Sequence, residues 1–292
     1  MKQGHASRTA EYMALFRALE SARPRRLRLF EDPLARAFLR PSLAFAASAA
    51  RVPGIGSAIA RFIDRRWPGT RTSAVARTRW IDDVLGAAVA KGARQLVVLG
   101  AGFDARAWRL PALRDVLVFE VDHRDTQARK RRLLERAGVP RRQGVRFVAT
   151  DFDQRDLECA MAAAGYEPTR RALFLWEGVT NYLTAEAVDA TLRWCARAAA
   201  GSTVVFTYVH ADVLTRPASF FGTERLFATL AEAGERWTFG LHPDELGPYL
   251  RERGLRLESE LGADAYRLAV FGDAALHMRG YEFYRIAVAT VG

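Results

Sequence analysis

Residues 95–110, QLVVLGAGFDARAWRL, constrain this chain more than any other stretch. Leu96-Val97-Val98-Leu99 is an unbroken apolar, β-branched run, the pattern of a strand buried on both faces of a parallel sheet. It stops at Gly100-Ala101-Gly102, where missing side chains let backbone approach a ligand or take φ > 0. Asp104, Ala105 and Arg106 then open a short helix. Strand, glycine turn and helix together form the nucleotide-binding arrangement of open α/β sheets.

The flanks extend that pattern. Strands are expected at 95–99, 116–121, 145–149, 172–176 and 203–209, with helices at 123–137, 154–164 and 185–199. Repeated β-α units predict an α/β, doubly wound, mostly parallel sheet. Residues 1–92 read as an N-terminal helical extension. Ser7 caps a helix with the stripe Tyr12, Leu15, Phe16, Leu19. Asp32-Pro33 opens a helix over 34–39. A helix covers 58–66, and Thr72 or Ser73 caps another that runs to Lys91. The sheet-bearing domain is expected over 93–292. Within it, residues 211–242 interrupt the alternation after the fifth strand and carry Phe220, Phe221, Phe227, Trp237 and Phe239. They form either a helical lid over a pocket or the core of an extra helix. A helix from Pro243 to Arg253 and an antiparallel pair of strands near 255–261 and 281–290 complete the sheet.

No apolar run nears the roughly 18 residues a membrane helix needs, and the first thirty residues hold no secretory core, so a cytoplasmic protein without a membrane partner is expected. Cys159 and Cys195 have no metal or redox spacing and read as reduced core thiols. His5, His123, His210, His242 and His277 form no ligand pair in sequence, so no metal is expected. The formal net charge is +11, yet of 44 basic residues only Lys2, Lys91 and Lys130 are lysines. The arginines are scattered, with no basic tail. That argues against nucleic acid and leaves room for an anionic small acceptor.

Ligands of open α/β sheets bind beyond the carboxyl ends of the strands, and acids stand there: Asp104 after the first strand, Asp122 after the second, Asp151 after the third and Glu177 after the fourth. Asp122 lies about twenty residues past the glycines, where an acid reaches the hydroxyls of a ligand ribose. Glu120 is expected to alternate away from it and form a structural ion pair. The glycines alone do not choose between a dinucleotide and S-adenosylmethionine. A pyrophosphate tolerates nearby carboxylates poorly, whereas a sulfonium and an ammonium suit a carboxylate rim. Arg77 and Arg79 could receive that ligand's own carboxylate.

In order along the chain, Phe30-Glu31-Asp32-Pro33, Ala76-Arg77-Thr78-Arg79, LGAGFDARAWRL at 99–110, FEVD at 119–122 with Lys130 beyond, Thr150-Asp151-Phe152 with Asp156-Leu157, and EGVTNYL at 177–183 resemble the leucine carboxyl methyltransferase family and its bacterial class I S-adenosylmethionine-dependent O-methyltransferase relatives. The match runs from about 31 to 201. The resemblance implies a Rossmann-like fold. It also implies that Arg77 grips the donor carboxylate, Gly100 lies against the donor with Gly102 and Asp104 in the same turn, and Asp122 binds the ribose. Asp151 and Phe152 would flank the adenine, and Glu177 the amino-acid portion. His123 and Ala105 depart from the family pattern, and none of Arg23, Arg25 and Arg26 aligns with its N-terminal basic residue.

Methyl transfer from a sulfonium is an in-line displacement in which positioning supplies much of the catalysis. A carboxylate is ionised at neutral pH and needs no base, while a phenol, with a pKa near 10, gains from one. No catalytic base stands out; Tyr182 and His210 are the candidates. The expected function is S-adenosylmethionine-dependent O-methylation of a carboxylate on a small molecule or peptide. The alternatives are a phenolic or hydroxyl O-methyltransferase and, in another class, an NAD-dependent oxidoreductase.

Overall fold

The structure, a computed structural model, describes residues 8–150 and 157–292. Ser7, Asp151, Phe152 and Asp156, named above, lie outside them. Four helices come first: α1 (Arg8–Ala22), α2 (Pro41–Ala49), α3 (Ile55–Arg66) and α4 (Thr70–Ala90). Then follow β1 (Gln95–Leu99), α5 (Arg106–Arg109), β2 (Leu117–Asp122), α6 (Arg124–Arg136), β3 (Val145–Ala149), α7 (Leu157–Ala163), β4 (Ala172–Trp176), α8 (Ala185–Cys195) and β5 (Thr203–Val209). The chain ends with α9 (Asp212–Thr215), α10 (Thr223–Ala233), α11 (Leu246–Arg251), β6 (Leu255–Leu261), α12 (Ala263–Phe271) and β7 (Tyr284–Val291).

The seven strands form one sheet in the order β3-β2-β1-β4-β5-β7-β6. The first five are parallel, and β7 inserts antiparallel between β5 and β6. Strand order reverses between β1 and β4, so a crevice opens where their carboxyl ends diverge.

Alternation along each strand divides the core in two. Val97, Leu99, Phe119, Val121, Phe174 and Trp176 face α8 and α11. Leu96, Val98, Val118, Leu173 and Leu175 face Ile81, Leu85 and Ala88 of α4 and Tyr266 of α12. A third cluster joins α1 (Ala14, Leu15, Phe16) to Phe38 and to Phe103 and Ala105 of the glycine turn. The rings of Phe38 and Phe103 stack with centroids 5.2 Å apart. The N-terminal helices thus roof the carboxyl end of β1.

Several local expectations change. Thr72 and Ser73 lie inside α4, which starts at Thr70 behind Gly69 in a left-handed conformation (φ +86°). Ser73 Oγ instead accepts from the backbone N–H of Tyr281 at 2.7 Å. Asp32 caps as expected, accepting from the N–H groups of Leu34 and Ala35, but only a 3-10 turn over Ala35–Phe38 follows. Glu120 and Asp122 share a face of β2, because residues two apart in a strand do; the expected ion pair is present, from Glu120 to Lys130 at 2.7 Å. Cys195 is buried, but Cys159 is exposed rather than in the core. Helix α12 has no counterpart among the expected elements. Its Ala263 and Tyr266 are fully buried against the sheet.

Because Leu85 is fully buried between α4 and the sheet, Leu85→Ala should lower unfolding stability by about 2–5 kcal/mol, through lost transfer energy plus a cavity. The shift of the urea midpoint measures it.

Candidate active site

The crevice at the switch point is the mouth of a cavity of about 1040 Å³, large for a single small-molecule site. Its floor is the glycine turn. Gly100 (φ +68°) and Gly102 (φ +44°) both take conformations that side chains avoid. A Cβ on Gly100 would stand 2.3 Å from Val179 Cγ2, so glycine is required there to let the loop after β4 close on the turn.

Asp122, at the end of β2, is fixed by that turn. Its Oδ2 accepts from Gly102 N–H at 2.5 Å and its Oδ1 from His123 N–H at 2.6 Å. Each oxygen keeps acceptor capacity toward the cavity. Burial raises the Asp122 pKa, with the two N–H groups and Lys130 pulling against it. Burial also pushes Glu120 up to about 7 despite its ion pair with Lys130.

A buried ion cluster lies beside the turn. Arg106 Nε donates to Asp82 Oδ1 at 2.7 Å, and its Nη1 meets both Asp104 and Glu177, the latter at 2.9 Å. Arg77 Nε donates to Glu177 Oε1 at 2.8 Å, with the guanidinium over the Tyr284 ring. Arg109 closes the network on Asp82 at 2.6 Å. Burial alone would raise Asp104 and Glu177. For Asp104, Arg106, Lys130, Arg17 and the Arg106 N–H together outweigh it and hold the carboxyl well below its usual range. For Glu177, Arg106 and Arg77 bring the net shift below the ordinary value. Arg106 in turn is desolvated, and Asp104, Glu177 and Asp82 more than restore its charge.

Asp104, Asp122 and Glu177 therefore converge on one cavity, with Arg77, Gly100 and Gly102. Thr150, the last described residue before Asp151 and Phe152, lines it too. The expected carboxylate rim carries its own counter-charges, however. Two of its acids are already paired with arginine, so the rim is zwitterionic. Arg79 does not line the cavity. It pairs with Asp83 on the outer side of α4 and donates to Leu29 O. Of the arginines near the N-terminus, Arg17 lines the cavity, paired to Asp32 at 2.8 Å and donating to Phe103 O at 2.5 Å. Its place on α1 hid it, since a helical arginine reads as a solvated charge.

Part of the interruption after β5 lines the cavity. Leu226, Thr229 and Leu230 of α10, then Glu235 and Trp237, line it opposite the sheet, with Trp67 and Ile63 alongside. Tyr182 lines the same chamber, and its hydroxyl hydrogen-bonds Glu235 at 3.0 Å, which also accepts from Thr9 at 2.7 Å. Burial pushes the Tyr182 phenol far above its usual pKa. His210 is not among the lining residues. It sits outside, with His242 at a ring-centroid distance of 5.3 Å. That pair is separated by 32 positions, so sequence spacing alone did not bring it together.

A family model for leucine carboxyl methyltransferase matches residues 10–196. Two Frankia alni proteins, each described as a "Putative S-adenosyl-L-methionine-dependent methyltransferase", are similar. One is 36% identical over 242 residues, 82% of this chain and 79% of the relative. The other is 36% identical over 264 residues, 89% of each. A crystal structure of a DUF574 family protein from Streptomyces avermitilis shares the fold at a TM-score of 0.60, with 15% identity and 98% of each chain covered. These likenesses and the site define a Rossmann-like, S-adenosylmethionine-dependent methyltransferase. The chain belongs to the leucine carboxyl methyltransferase family.

Two outcomes follow from the geometry. Gly100→Ala should weaken binding of S-adenosylhomocysteine at least tenfold by calorimetry and lower stability by about 1–3 kcal/mol, since both the left-handed backbone and the Val179 contact resist a side chain. Asp104→Asn should destabilise by about 1–3 kcal/mol at pH 7. Because the folded carboxyl titrates well below the ordinary aspartate value of about 3.9, its contribution is present above that value and is lost as pH falls toward the folded one. The difference between the two proteins in urea should therefore be full at pH 5 and shrink steadily as the pH is lowered below about 4.

Proposed function

We propose that this enzyme transfers a methyl group to a carboxylate oxygen of a largely apolar small molecule, and that Arg77, Gly100, Gly102, Asp104, Asp122 and Glu177, with Asp151 and Phe152, form the donor site. The observation that carries the reading is the placement of Asp122. It is an acceptor at the end of β2, held by the glycine turn and opening on the same cavity as the Arg77–Glu177 pair. The residues suit the donor. A ribose diol can donate to the two anchored oxygens of Asp122. Arg77 and Glu177 offer opposite charges to an α-carboxylate and an α-ammonium. S-adenosylmethionine, when bound, supplies an electrophilic methyl group.

The chain's part in catalysis is then positioning and exclusion of water. The turn and Val179 hold the floor rigid. Arg77 is fixed on both sides, by Glu177 and by the Tyr284 ring. Residues of α10 and α1, with Trp237 and Trp67, shield the chamber from solvent. An ionised carboxylate acceptor asks for no base. Among the described residues lining the cavity, the only histidine is His123, beside Asp122. A hydroxyl acceptor is the second reading, favoured by one observation: Glu235 and Tyr182 place a carboxylate and a phenol in the same chamber.

Wild type should bind S-adenosylhomocysteine in calorimetry, and Asp122→Asn should weaken it about tenfold to a hundredfold while retaining the native circular dichroism, as expected for losing hydrogen bonds to a charged acceptor. Unchanged affinity removes Asp122 from the donor site. The pH profile of kcat/KM separates the acceptors: flat between pH 6 and 9 for a carboxylate, rising toward the phenol pKa or bending at a base for a hydroxyl.

A further inference from the structure

His210, Asp212 and His242 lie outside the donor cavity, and the methyl-transfer reading uses none of them. Each offers a ligand atom, and these atoms all lie within 4.8 Å of one another at half-buried positions. The three residues come from the two ends of the segment that roofs the cavity: His210 and Asp212 where the chain leaves β5, and His242 where it returns. The backbone beneath them is tightly built. Leu241 N–H donates to Val209 O at 3.0 Å and Ala211 N–H to Leu241 O at 3.1 Å, so the strands of the neck form a parallel bridge at His210. His210 N–H donates to Phe283 O at 2.8 Å. Gly240 is needed there, because a Cβ would come 2.9 Å from Ala211 Cα and 3.0 Å from Val209 O. The three side chains therefore project from fixed backbone rather than from mobile loops.

We propose that His210, Asp212 and His242 bind one divalent transition-metal ion, Zn²⁺ by preference, which clasps the neck of the insertion over the cavity. Two imidazoles and a carboxylate form a borderline-soft donor set suited to Zn²⁺, with water as a fourth ligand. In a tetrahedral site with bonds near 2.1 Å the ligand atoms stand about 3.4 Å apart, so side-chain rotation of roughly an ångström closes the present spacing. The surrounding charge permits a cation. Asp244 adds a nearby negative charge, and Arg285 is engaged by Glu260. Asp212 is held by Arg216 at 2.6 Å, but that arginine is two-thirds exposed and the pair is readily exchanged for a metal bond. The segment between the ligands carries Leu226, Leu230, Glu235 and Trp237, all lining the cavity, so the clasp would act on the roof and not on the donor floor.

The test uses untagged, EDTA-treated full-length protein titrated with ZnCl₂ by calorimetry and with CoCl₂ by visible absorption. The expected result is one equivalent of metal at micromolar affinity or better. Affinity should fall at least tenfold in His242→Ala and in His210→Ala, with no change in His277→Ala. Where a histidine variant does not fold, wild-type protein is treated with diethyl pyrocarbonate and mapped by mass spectrometry. Zn²⁺ should then protect His210 and His242 but not His123 or His277. Absence of saturable one-to-one binding, undiminished affinity in a folded His242→Ala variant, or equal modification of all four histidines with and without Zn²⁺ would overturn the site. Binding of S-adenosylhomocysteine by the same samples reports on the donor site independently.

Discussion

Arg106 is the hinge on which the site turns. One guanidinium, almost wholly buried, holds carboxylates from three separate elements: Asp82 on α4, Asp104 in the glycine turn and Glu177 at the end of β4. With Arg77 and Arg109 the cluster balances three positive and three negative charges. Removing one partner of such a cluster leaves an opposite charge without its counterion away from water, which is destabilising. At the switch point β1 and β4 are paired by a parallel ladder from Gln95 to Val98, and the connections after the two strands leave in opposite directions. Beyond the end of that ladder, Arg106 ties the glycine turn after β1 to Glu177 after β4.

This pairing changes the charge that the proposed donor site presents. A row of bare carboxylates would attract any cation and repel the donor's own carboxylate. The Arg77–Glu177 pair instead presents both charges side by side, complementary to an amino acid's two ends. Three of the arginines that line the cavity, Arg17, Arg77 and Arg106, are engaged by acids. Asp122 is the exception, raised by burial and held by backbone N–H groups rather than by an arginine, which suits it to hydroxyls rather than to a cation.

Much of this was legible in the sequence. The strand at 95–99, the glycines and the acid about twenty residues on have fixed spacings imposed by the geometry of one β-α-β unit. Strand ends must face the crevice, so Asp104, Asp122 and Glu177 could be placed without coordinates. Residues outside that unit could not. Arg17 reaches the cavity because the N-terminal helices fold over the turn, and nothing in a helix stripe states where its polar face will dock. Glu235 and Trp237 depend on the path of the segment after β5, which no periodicity encodes. Arg106 carried no signal either, since a lone arginine after a glycine turn looks like a helix-start surface residue. Helix α12 escaped because its apolar positions are mixed with charges, one of which, Arg267, is itself buried.

The histidines illustrate the same limit from the other side. Metal spacings are readable when both ligands sit on one helix or one turn, where three or four residues return a side chain to the same face. His210 and His242 are brought together by a strand end and a returning loop, with 31 residues between them, so their meeting is a property of the bridge between Val209, Ala211 and Leu241 rather than of local spacing. Such a neck has a structural consequence for the cavity. The bridge and the Phe283 contact fix both ends of the segment that lines one wall, and the Arg106 cluster fixes the glycine turn on the other. The two walls are thus anchored by different interactions, a short backbone ladder on one side and buried charge pairs on the other.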